Sequence, residues 1–377
     1  MTFSILQPPR ILFGRGEAAK APALALGFGR RGAVIHGRDA ARAAWLLDAL
    51  AEAGAETLAL PCPAEPTLPM LEAALGPLRD FRPDWVLALG GGAALDFGKA
   101  LAALAPGPGA PLNHLEIVGR GAPLAAAPLP FLALPSTAGT GAEATKNAVI
   151  GVPDRARKVS LRDDRMIARV AIVDPALTDR CPRAVTLASG LDAVTQLIEP
   201  FLSAKATPYS DALTRPAIAP ALTALKRLME GEDRAARDAM AWASLSGGLA
   251  LANSGLGAVH GLSGPIGGAT GAAHGAICGT LLGPVLALYR ETLGGPARER
   301  LEAVFGMIAS ALGSAAENAP ETLAAWARGA GLPGLAALGL AAEAHGAVIE
   351  AALDSSSMKG APTAPSPAHL AAALKAA

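Results

Sequence analysis

The sequence DWVLALGGGAALDFGKALA, residues 84–102, decides the fold class of this chain. The apolar run Trp85–Leu89 is typical of a buried strand, and the glycines Gly90–Gly92 end it before a helix that contains Asp96 and Lys99. Glycines let the backbone approach a phosphate group, and the N–H groups at the start of the helix can bind it. The order of strand, glycines and helix therefore predicts a phosphate-binding turn in an α/β domain.

A second turn of the same kind lies in PLPFLALPSTAGTGAEATK, residues 128–146. Phe131–Leu134 is a predicted strand, and the hydroxyl groups of Ser136, Thr137 and Thr140 follow it. Such a turn suits hydrogen bonds to phosphate or ribose. Either turn alone is also compatible with an ordinary strand-to-helix loop.

The chain changes character near residue 178. Before it, short apolar strands alternate with amphipathic helices, which predicts a parallel, Rossmann-like sheet. After it, alanine- and leucine-rich helical stretches dominate. We therefore expect an α/β domain over residues 1–178 and an all-helical domain over residues 179–377. The predicted strands are Ala33–Ile35, Thr57–Leu60, Trp85–Leu89, Phe131–Leu134 and Val170–Val173.

Two histidines, His260 and His274, lie in a stretch, residues 239–289, that contains no Lys, Arg, Asp or Glu. Neutral imidazole is a common metal ligand, and metal binding compensates its burial. Upstream, Asp192 lies in the helical segment SGLDAVTQLIEPF. The carboxylate and the two imidazoles are predicted to hold one divalent ion with a position open for substrate. Hydrogen-bonded core histidines are the alternative.

Together these segments resemble the iron-containing (group III) alcohol dehydrogenase family. The family's loops GGGSxxDxAK and PTTAGTGSE correspond to GGGAALDFGK, residues 90–99, and PSTAGTGAE, residues 135–143. Its motif DAxxHxxE corresponds to DAVTQLIE, residues 192–199, and HxxxHxxGxxxxxPHG corresponds to HGLSGPIGGATGAAHG, residues 260–275. Four motifs in the family's order extend the resemblance over almost the whole chain.

The resemblance implies a dehydroquinate synthase-like fold, with a Rossmann-like α/β domain and a helical domain. It implies a metal-dependent, NAD(P)-linked alcohol dehydrogenase or aldehyde or ketone reductase. Hydride would pass between nicotinamide C4 and the metal-bound alcohol or carbonyl. Asp192, His260 and His274 would be the metal ligands and catalytic residues. The residues expected to contact the cofactor are Gly90, Gly91, Gly92, Asp96, Lys99, Ser136, Thr137, Thr140 and Lys158, with Lys158, in RKVSL, also assigned to catalysis.

Two departures from the family pattern affect the expected metal ligands and the expected proton relay. Gln196 replaces a histidine that is a fourth ligand in many members, although its amide oxygen remains a possible ligand. The resemblance extends to glycerol dehydrogenases, which look like users of a zinc site with three ligands. Either Fe²⁺ or Zn²⁺ is therefore the expected ion. Gly264 replaces a histidine often assigned to proton relay, so a water chain is the expected relay.

The segment Val34–Arg38 bears on the choice of cofactor. Gly37 stands where many relatives have an aspartate that would repel a 2′-phosphate, and Arg38 could pair with that phosphate. Asp39 would restore an acid if the alignment shifted by one residue. We expect NADP(H), with NAD(H) also accepted.

Composition excludes several classes. Hydrophobic residues make up 51% of the chain and the formal net charge is zero, so nothing indicates nucleic acid or an anionic membrane as a partner. No membrane span or signal peptide is evident, and the 3 scattered cysteines indicate reduced thiols in the cytoplasm. Cys278 could approach the metal, but a small buried hydrophobe is the favoured interpretation. The resemblance also implies a homodimer.

The sequence bears differently on three alternative functions. A maleylacetate-reductase-like enzyme works without metal, but such relatives are altered at the first ligand position, where this chain keeps Asp192. Dehydroquinate synthase has a basic substrate-binding cluster that is not apparent here. A non-catalytic family member stays possible because of Gln196 and Gly264.

Overall fold

The computed structural model describes residues 2–377, which divide into two compact units. The α/β unit comprises Leu6–Thr137 and Ala142–Thr178, and the helical unit comprises Asp179–Ala377 with residues 2–5 and 138–141. Residues 138–141 were expected in the first domain. They belong with the helices because a Cβ on Gly139 would lie 2.7 Å from the Ser189 Cβ, which is the close approach that only glycine allows.

A six-stranded parallel sheet forms the centre of the α/β unit, with the strand order β1-β8-β5-β4-β2-β3. An antiparallel pair, β6 and β7, lies outside that sheet and was not predicted. The strands are β1 (Ile11–Phe13), β2 (Arg31–His36), β3 (Glu56–Pro61), β4 (Trp85–Gly90), β5 (Phe131–Pro135), β6 (Asn147–Val152), β7 (Arg157–Arg162) and β8 (Val170–Val173).

The central strands are buried on both faces because helices cover each side of the sheet. In β4, Val86 belongs to one hydrophobic core and Leu87 to the other, as the twofold alternation of a strand requires. The helices of this unit are α1 (Ala21–Leu26), α2 (Ala44–Glu52), α3 (Leu68–Phe81) and α4 (Gly92–Leu104). The sheet and its helices confirm the predicted α/β fold.

The second unit is all-helical in the residues described, as predicted, and no strand interrupts residues 190–350. Residues 208–230 form two helices that are separated near Pro216. The helices are α5 (Arg183–Leu202), α6 (Pro208–Thr214), α7 (Ile218–Glu230), α8 (Arg234–Ser254), α9 (Ala258–Thr270), α10 (His274–Thr292), α11 (Gly295–Leu312), α12 (Ala319–Gly329), α13 (His345–Leu353) and α14 (Pro367–Ala376).

The apolar stretch at residues 239–289 is divided among α8, α9 and α10, which pack into the core of this unit. Across residues 2–377, none of the helices combines the length and the hydropathy that a membrane crossing needs.

Candidate metal centre and nucleotide turns

Helix α5 supplies the acidic and amide groups of the candidate metal centre. Asp192, Gln196 and Glu199 are spaced by four and three residues, so they lie along one face of the helix. All three side chains are buried in the helical unit. Buried carboxylates need a cation or hydrogen-bond donors, so this face of α5 must meet such partners.

The partners come from α9 and α10. Gly271 ends α9 in a left-handed conformation at φ 69°, and α10 begins three residues later at His274. A Cβ on Gly275 would lie 2.4 Å from the carbonyl oxygen of Ala188 on α5. Only glycine at that position lets the start of α10 approach α5 closely, and this approach brings His274 toward Asp192.

The predicted ligand atoms converge in the structure. The Asp192 Oδ1 atom lies 3.3 Å from His260 Nε2 and 3.9 Å from His274 Nε2. The two imidazole rings are 5.3 Å apart and tilted by 51°. Cys278 joins them, and the ligand atoms of these four residues all lie within 4.8 Å of one another. Three residues predicted from distant parts of the chain thus face a single point.

The hydrogen bonding of this cluster fits a cation. Asp192 Oδ1 and His260 Nε2 are both buried, and neither has a hydrogen-bond partner among the described residues. An unpaired buried acceptor costs about 1–3 kcal/mol, and more when it is charged. A divalent ion would satisfy a carboxylate oxygen and an imidazole nitrogen lone pair together, so the residues present fit a metal.

Glu199 orients His260. Its Oε2 atom lies 2.6 Å from His260 Nδ1, and its Oε1 atom accepts a 2.7 Å hydrogen bond from the backbone N–H of Val259 at the start of α9. A carboxylate can only accept, so Nδ1 carries the proton and Nε2 is left to face Asp192. Glu199 therefore fixes both the ring and the helix that carries it.

Electrostatics keeps the acid of this cluster ionised. Burial opposes ionisation of Asp192, but the neighbouring imidazoles of His260 and His274 hold the pKa of its carboxyl below the ordinary value. Burial likewise opposes protonation of His274, yet Cys278 and Asp192 raise the pKa of its imidazole to about 9. Negative potential at the cluster is therefore strong enough to hold positive charge there.

The two departures from the family pattern lie at the same centre. Gln196 is buried one turn from Asp192, and its Oε1 atom has no hydrogen-bond partner among residues 2–377. Gly264 is in α9 one turn after His260, and a Cβ there would meet no atom within 4 Å. Gln196 is therefore available as a ligand, and the space beside Gly264 is open.

The predicted phosphate turn lies at a topological switch of the α/β unit. Strand β2 pairs with β3 on one side and with β4 on the other, so the strand order reverses between β2 and β4. Gly37 follows β2 and Gly91 caps α4 after β4. Ligands of open α/β sheets bind outside the carboxyl ends of the strands at such a point.

The hydroxyl-rich turn after β5 adjoins the glycines. The backbone N–H of Ser136 donates a 2.8 Å hydrogen bond to the Gly90 carbonyl oxygen, and a Cβ on Gly91 would lie 3.3 Å from Thr137 Oγ1. Ser136 and Thr137 therefore lie beside the phosphate turn. Thr140 belongs to the helical unit, and its contact with the cofactor stays a prediction.

Asp96 and Lys99 have structural roles within the α/β unit. Asp96 Oδ2 accepts a 2.9 Å hydrogen bond from the backbone N–H of Val149 in β6. The Lys99 ammonium is buried and donates to the carbonyl oxygens of Ala142 and Asn147 and to Thr145 Oγ1. An ammonium group has three donors, so none is left for a phosphate. In this structure the ammonium is therefore saturated by protein acceptors, and the expected contact of Lys99 with the cofactor stays a prediction.

Three further residues are candidates for cofactor binding from the sequence, and the structure shows their present contacts. Arg38 is exposed after β2, where its Nε donates to the Pro63 carbonyl oxygen at 3.2 Å. Asp39 Oδ1 accepts a 3.0 Å hydrogen bond from the backbone N–H of Ala41 and so caps a short 3-10 helix. Lys158, in β7, forms an ion pair with Glu65. The Glu65 contact gives Lys158 a partner inside its own unit.

Sequence reasoning assigned no role to Glu199 and treated proximity to the metal as the less favoured interpretation of Cys278. Glu199 ended the DAVTQLIE motif without a role, and only its buried position on the ligand face of α5 reveals one. Cys278 was favoured as a small hydrophobe, whereas its Sγ atom lies 3.6 Å from His274 Nε2. The i, i+4 spacing of His274 and Cys278 was the available signal.

Comparison with known proteins places the chain among dehydrogenases. The family model described as iron-containing alcohol dehydrogenase matches residues 8–175, and the one described as Fe-containing alcohol dehydrogenase family, C-terminal, matches residues 186–377. The long-chain-alcohol dehydrogenase 1 of Geobacillus thermodenitrificans is 39% identical over 54% of this chain and 51% of its own length. The lactaldehyde reductase of Escherichia coli is 32% identical over 77% of this chain and 75% of its own.

Coverage of the curated relatives is partial. The probable alcohol dehydrogenase EutG of Escherichia coli is 36% identical, and the match covers 66% of it and 70% of this chain. The matched region thus spans about half to two thirds of the first two relatives.

Solved structures match along the whole chain. A 1,3-propanediol oxidoreductase shares 25% identity with a TM-score of 0.88, over 100% of this chain and 99% of that one. An iron-containing alcohol dehydrogenase from Thermococcus thioreducens shares 26% identity with a TM-score of 0.86, over 100% and 99%. The sequence motifs, the two-unit fold and these matches agree: the chain belongs to the iron-containing alcohol dehydrogenase family.

Proposed function

We propose that this protein is a metal-dependent, NAD(P)-linked alcohol dehydrogenase that also reduces the corresponding aldehyde or ketone. One observation carries the proposal: Asp192 Oδ1 and His260 Nε2 are buried, lack partners and face each other at 3.3 Å, with His274 beside them. A buried carboxylate oxygen and a buried imidazole nitrogen without hydrogen-bond partners are costly unless a cation satisfies them. Family relatives that act on alcohols support the reaction class.

Asp192, His260 and His274 would hold the ion. A divalent cation bound there supplies Lewis-acid chemistry, which lowers the pKa of an alcohol or polarises a carbonyl. Glu199 keeps the His260 proton on Nδ1, so Nε2 presents a lone pair to the centre. The side chain of His274 is 34% exposed, whereas Asp192 is buried, so the open side of the centre lies at His274. Substrate would approach from that side.

The α/β unit would bind the nucleotide. The Gly91 and Gly92 backbone lies at the N-terminus of α4, where unpaired N–H groups favour a pyrophosphate. Ser136 and Thr137 add hydroxyl groups beside that turn. Gly37 and exposed Arg38 follow β2, and Asp39 is engaged as a cap, which favours NADP(H) over NAD(H).

The proposal assigns secondary roles to three further residues, Gln196, Thr140 and Lys158. Gln196 is a possible ligand through its amide oxygen, while Thr140 and Lys158 remain possible cofactor contacts. A cytoplasmic homodimer acting on a small alcohol or aldehyde, with no nucleic-acid or membrane partner, completes the proposed description.

The test is a metal analysis of the purified protein combined with a screen of NADPH and NADH oxidation over short aldehydes and ketones. We expect about one divalent ion per chain and oxidation that requires it. Oxidation of equal rate after complete metal removal would identify a metal-independent reductase. Bound metal with no oxidation of either cofactor across the screen would identify a non-catalytic member.

A further inference from the structure

Cys278 is placed against the candidate metal centre rather than in an aliphatic environment. It lies one helical turn after His274 in α10, and its side chain is fully buried. Its Sγ atom is 3.6 Å from His274 Nε2 and within 4.8 Å of the Asp192 and His260 ligand atoms. The thiol forms no disulfide. A residue that only filled space would have no reason to turn its sulfur toward three ligand atoms.

The spacing of these atoms matches the edges of a tetrahedral site. Zinc bonds of about 2.0–2.2 Å to nitrogen or oxygen and about 2.3 Å to sulfur imply edges of about 3.3 Å between two N or O ligands and about 3.6 Å between N and S. The observed Asp192 Oδ1 to His260 Nε2 edge is 3.3 Å, and the observed Cys278 Sγ to His274 Nε2 edge is 3.6 Å. Two edges therefore match, and the 3.9 Å between Asp192 Oδ1 and His274 Nε2 would shorten by about 0.6 Å on coordination.

A second observation points to a ligand at the same place. The Asp192 Oδ1 and His260 Nε2 atoms are both buried and without hydrogen-bond partners among the described residues. The other two cysteines show no such setting. Cys62 lies in the α/β unit and donates its S–H to the Ala64 carbonyl oxygen at 3.1 Å, and Cys181 precedes α5 outside the cluster.

We propose that Cys278 is a metal ligand, so that the centre is Asp192, His260, His274 and Cys278 and prefers thiophilic Zn²⁺ to Fe²⁺. This inference rests on the proposed function, since it assumes that the centre binds a metal. Thiolate is a soft ligand that selects zinc, whereas the amide oxygen of Gln196 is neutral and hard. Two anionic ligands would also balance the charge of a divalent ion inside an apolar helical unit.

The first experiment uses the full-length protein stripped of metal and reloaded with Co²⁺. Thiolate bound to Co²⁺ gives an intense near-ultraviolet charge-transfer absorption that nitrogen and oxygen ligands do not give. We expect that absorption in the wild type and in the matched control Cys181→Ser, and its loss in Cys278→Ser. Co²⁺ bound by the wild type without the absorption would overturn the inference and leave the proposed metal-dependent function intact. A wild type that binds neither Co²⁺ nor Zn²⁺ would overturn both.

Zinc affinity, measured by competition with a chromophoric chelator, gives a second readout. We expect Cys278→Ser to weaken Zn²⁺ binding by more than about 100-fold, because loss of a group that only supports a ligand already costs roughly 10- to 100-fold. The Cys181→Ser control should bind Zn²⁺ within about threefold of the wild type. Equal affinities in Cys278→Ser and Cys181→Ser would contradict the assignment.

A measurement on the wild type alone covers the case in which the variant does not fold. X-ray absorption at the zinc edge of the Zn²⁺-loaded protein should show one sulfur neighbour at about 2.3 Å among the ligands. A shell of nitrogen and oxygen only would exclude Cys278 from the centre.

Discussion

Glu199 Oε2 and His260 Nδ1 lie 2.6 Å apart, and this contact aims the opposite ring nitrogen at Asp192. The same carboxylate holds the start of α9 through the Val259 N–H. One residue of α5 thus sets the position and the tautomer of a ligand carried by another helix.

Replacement of Glu199 by Gln tests that role. In the amide an NH₂ group replaces one of the two carboxylate oxygens, so the separate hydrogen bonds from Val259 N–H and His260 Nδ1–H cannot both be kept. We expect Zn²⁺ affinity to fall by about 10- to 100-fold, measured by chelator competition, while Asp192 stays in place. Glu302→Gln, at an exposed ion pair with Arg298, is the matched control and should bind normally. Unchanged affinity in Glu199→Gln would mean that His260 needs no such partner.

Two glycine substitutions should act in opposite directions. A Cβ on Gly275 would meet the Ala188 carbonyl oxygen at 2.4 Å, whereas a Cβ on Gly264 would meet nothing within 4 Å. Gly275→Ala should therefore lower the free energy of unfolding by about 1–3 kcal/mol and weaken metal binding. Gly264→Ala should raise it by about 0.5–1 kcal/mol, because glycine is unfavourable inside a helix. Denaturant unfolding measures both, and equal effects of the two would refute the close approach of α10 to α5.

Much of the fold and part of the site could be predicted from the sequence. Alternating apolar strands and helices specify the parallel sheet because periodicity reflects burial directly. Helix α9 is hard to predict from sequence, since its four glycines and Pro265 give it poor intrinsic propensity and its stability comes from packing. The partnership of Glu199 with His260 joins residues that are 61 positions apart, and no local pattern encodes such a contact.

Lys99 shows a second limit of the sequence. A lysine beside a glycine-rich turn suggests a phosphate contact, but the structure buries its ammonium among three acceptors. Burial lowers the pKa of Lys99 to about 8, while the carboxylates of Asp96 and Glu143 oppose that fall. The direction in which the Lys99 side chain leaves α4 determines which groups its ammonium contacts. Sequence periodicity alone does not predict that direction.

The buried Glu143 predicts a pH-dependent stability. Burial raises the pKa of its carboxyl from 4.5 to about 7, so the folded protein binds this proton more tightly than the unfolded chain does. The resulting stabilisation is complete below about pH 4.5 and is lost as the pH rises through about 7. Relative to the wild type, Glu143→Gln should therefore gain roughly 2 kcal/mol of unfolding free energy between pH 5 and pH 8. Parallel pH profiles from denaturant titrations of the two proteins would contradict this assignment.

The turn after β2 predicts the cofactor preference. Removal of Arg38 should raise the KM for NADPH by about tenfold and leave that for NADH unchanged, because a charge-assisted hydrogen bond contributes about 1.5–3 kcal/mol. Asp39→Ala should lower stability by about 1 kcal/mol through loss of its cap, with no change in preference. Initial rates measured with NADPH and with NADH give the KM values and hence the cofactor preference of each variant. A strong NADH preference that disappears in Asp39→Ala would show that Asp39 binds the ribose.

The central claim is that Asp192, His260 and His274 hold one catalytic divalent ion, and metal content determined together with reductase rate tests it most directly. Wild type and the control Asp154→Ala, at an exposed residue, should carry about one ion per chain and equal activity. Asp192→Ala and His274→Ala should lose the ion and nearly all activity while remaining folded. Full activity in either variant without bound metal would contradict the account.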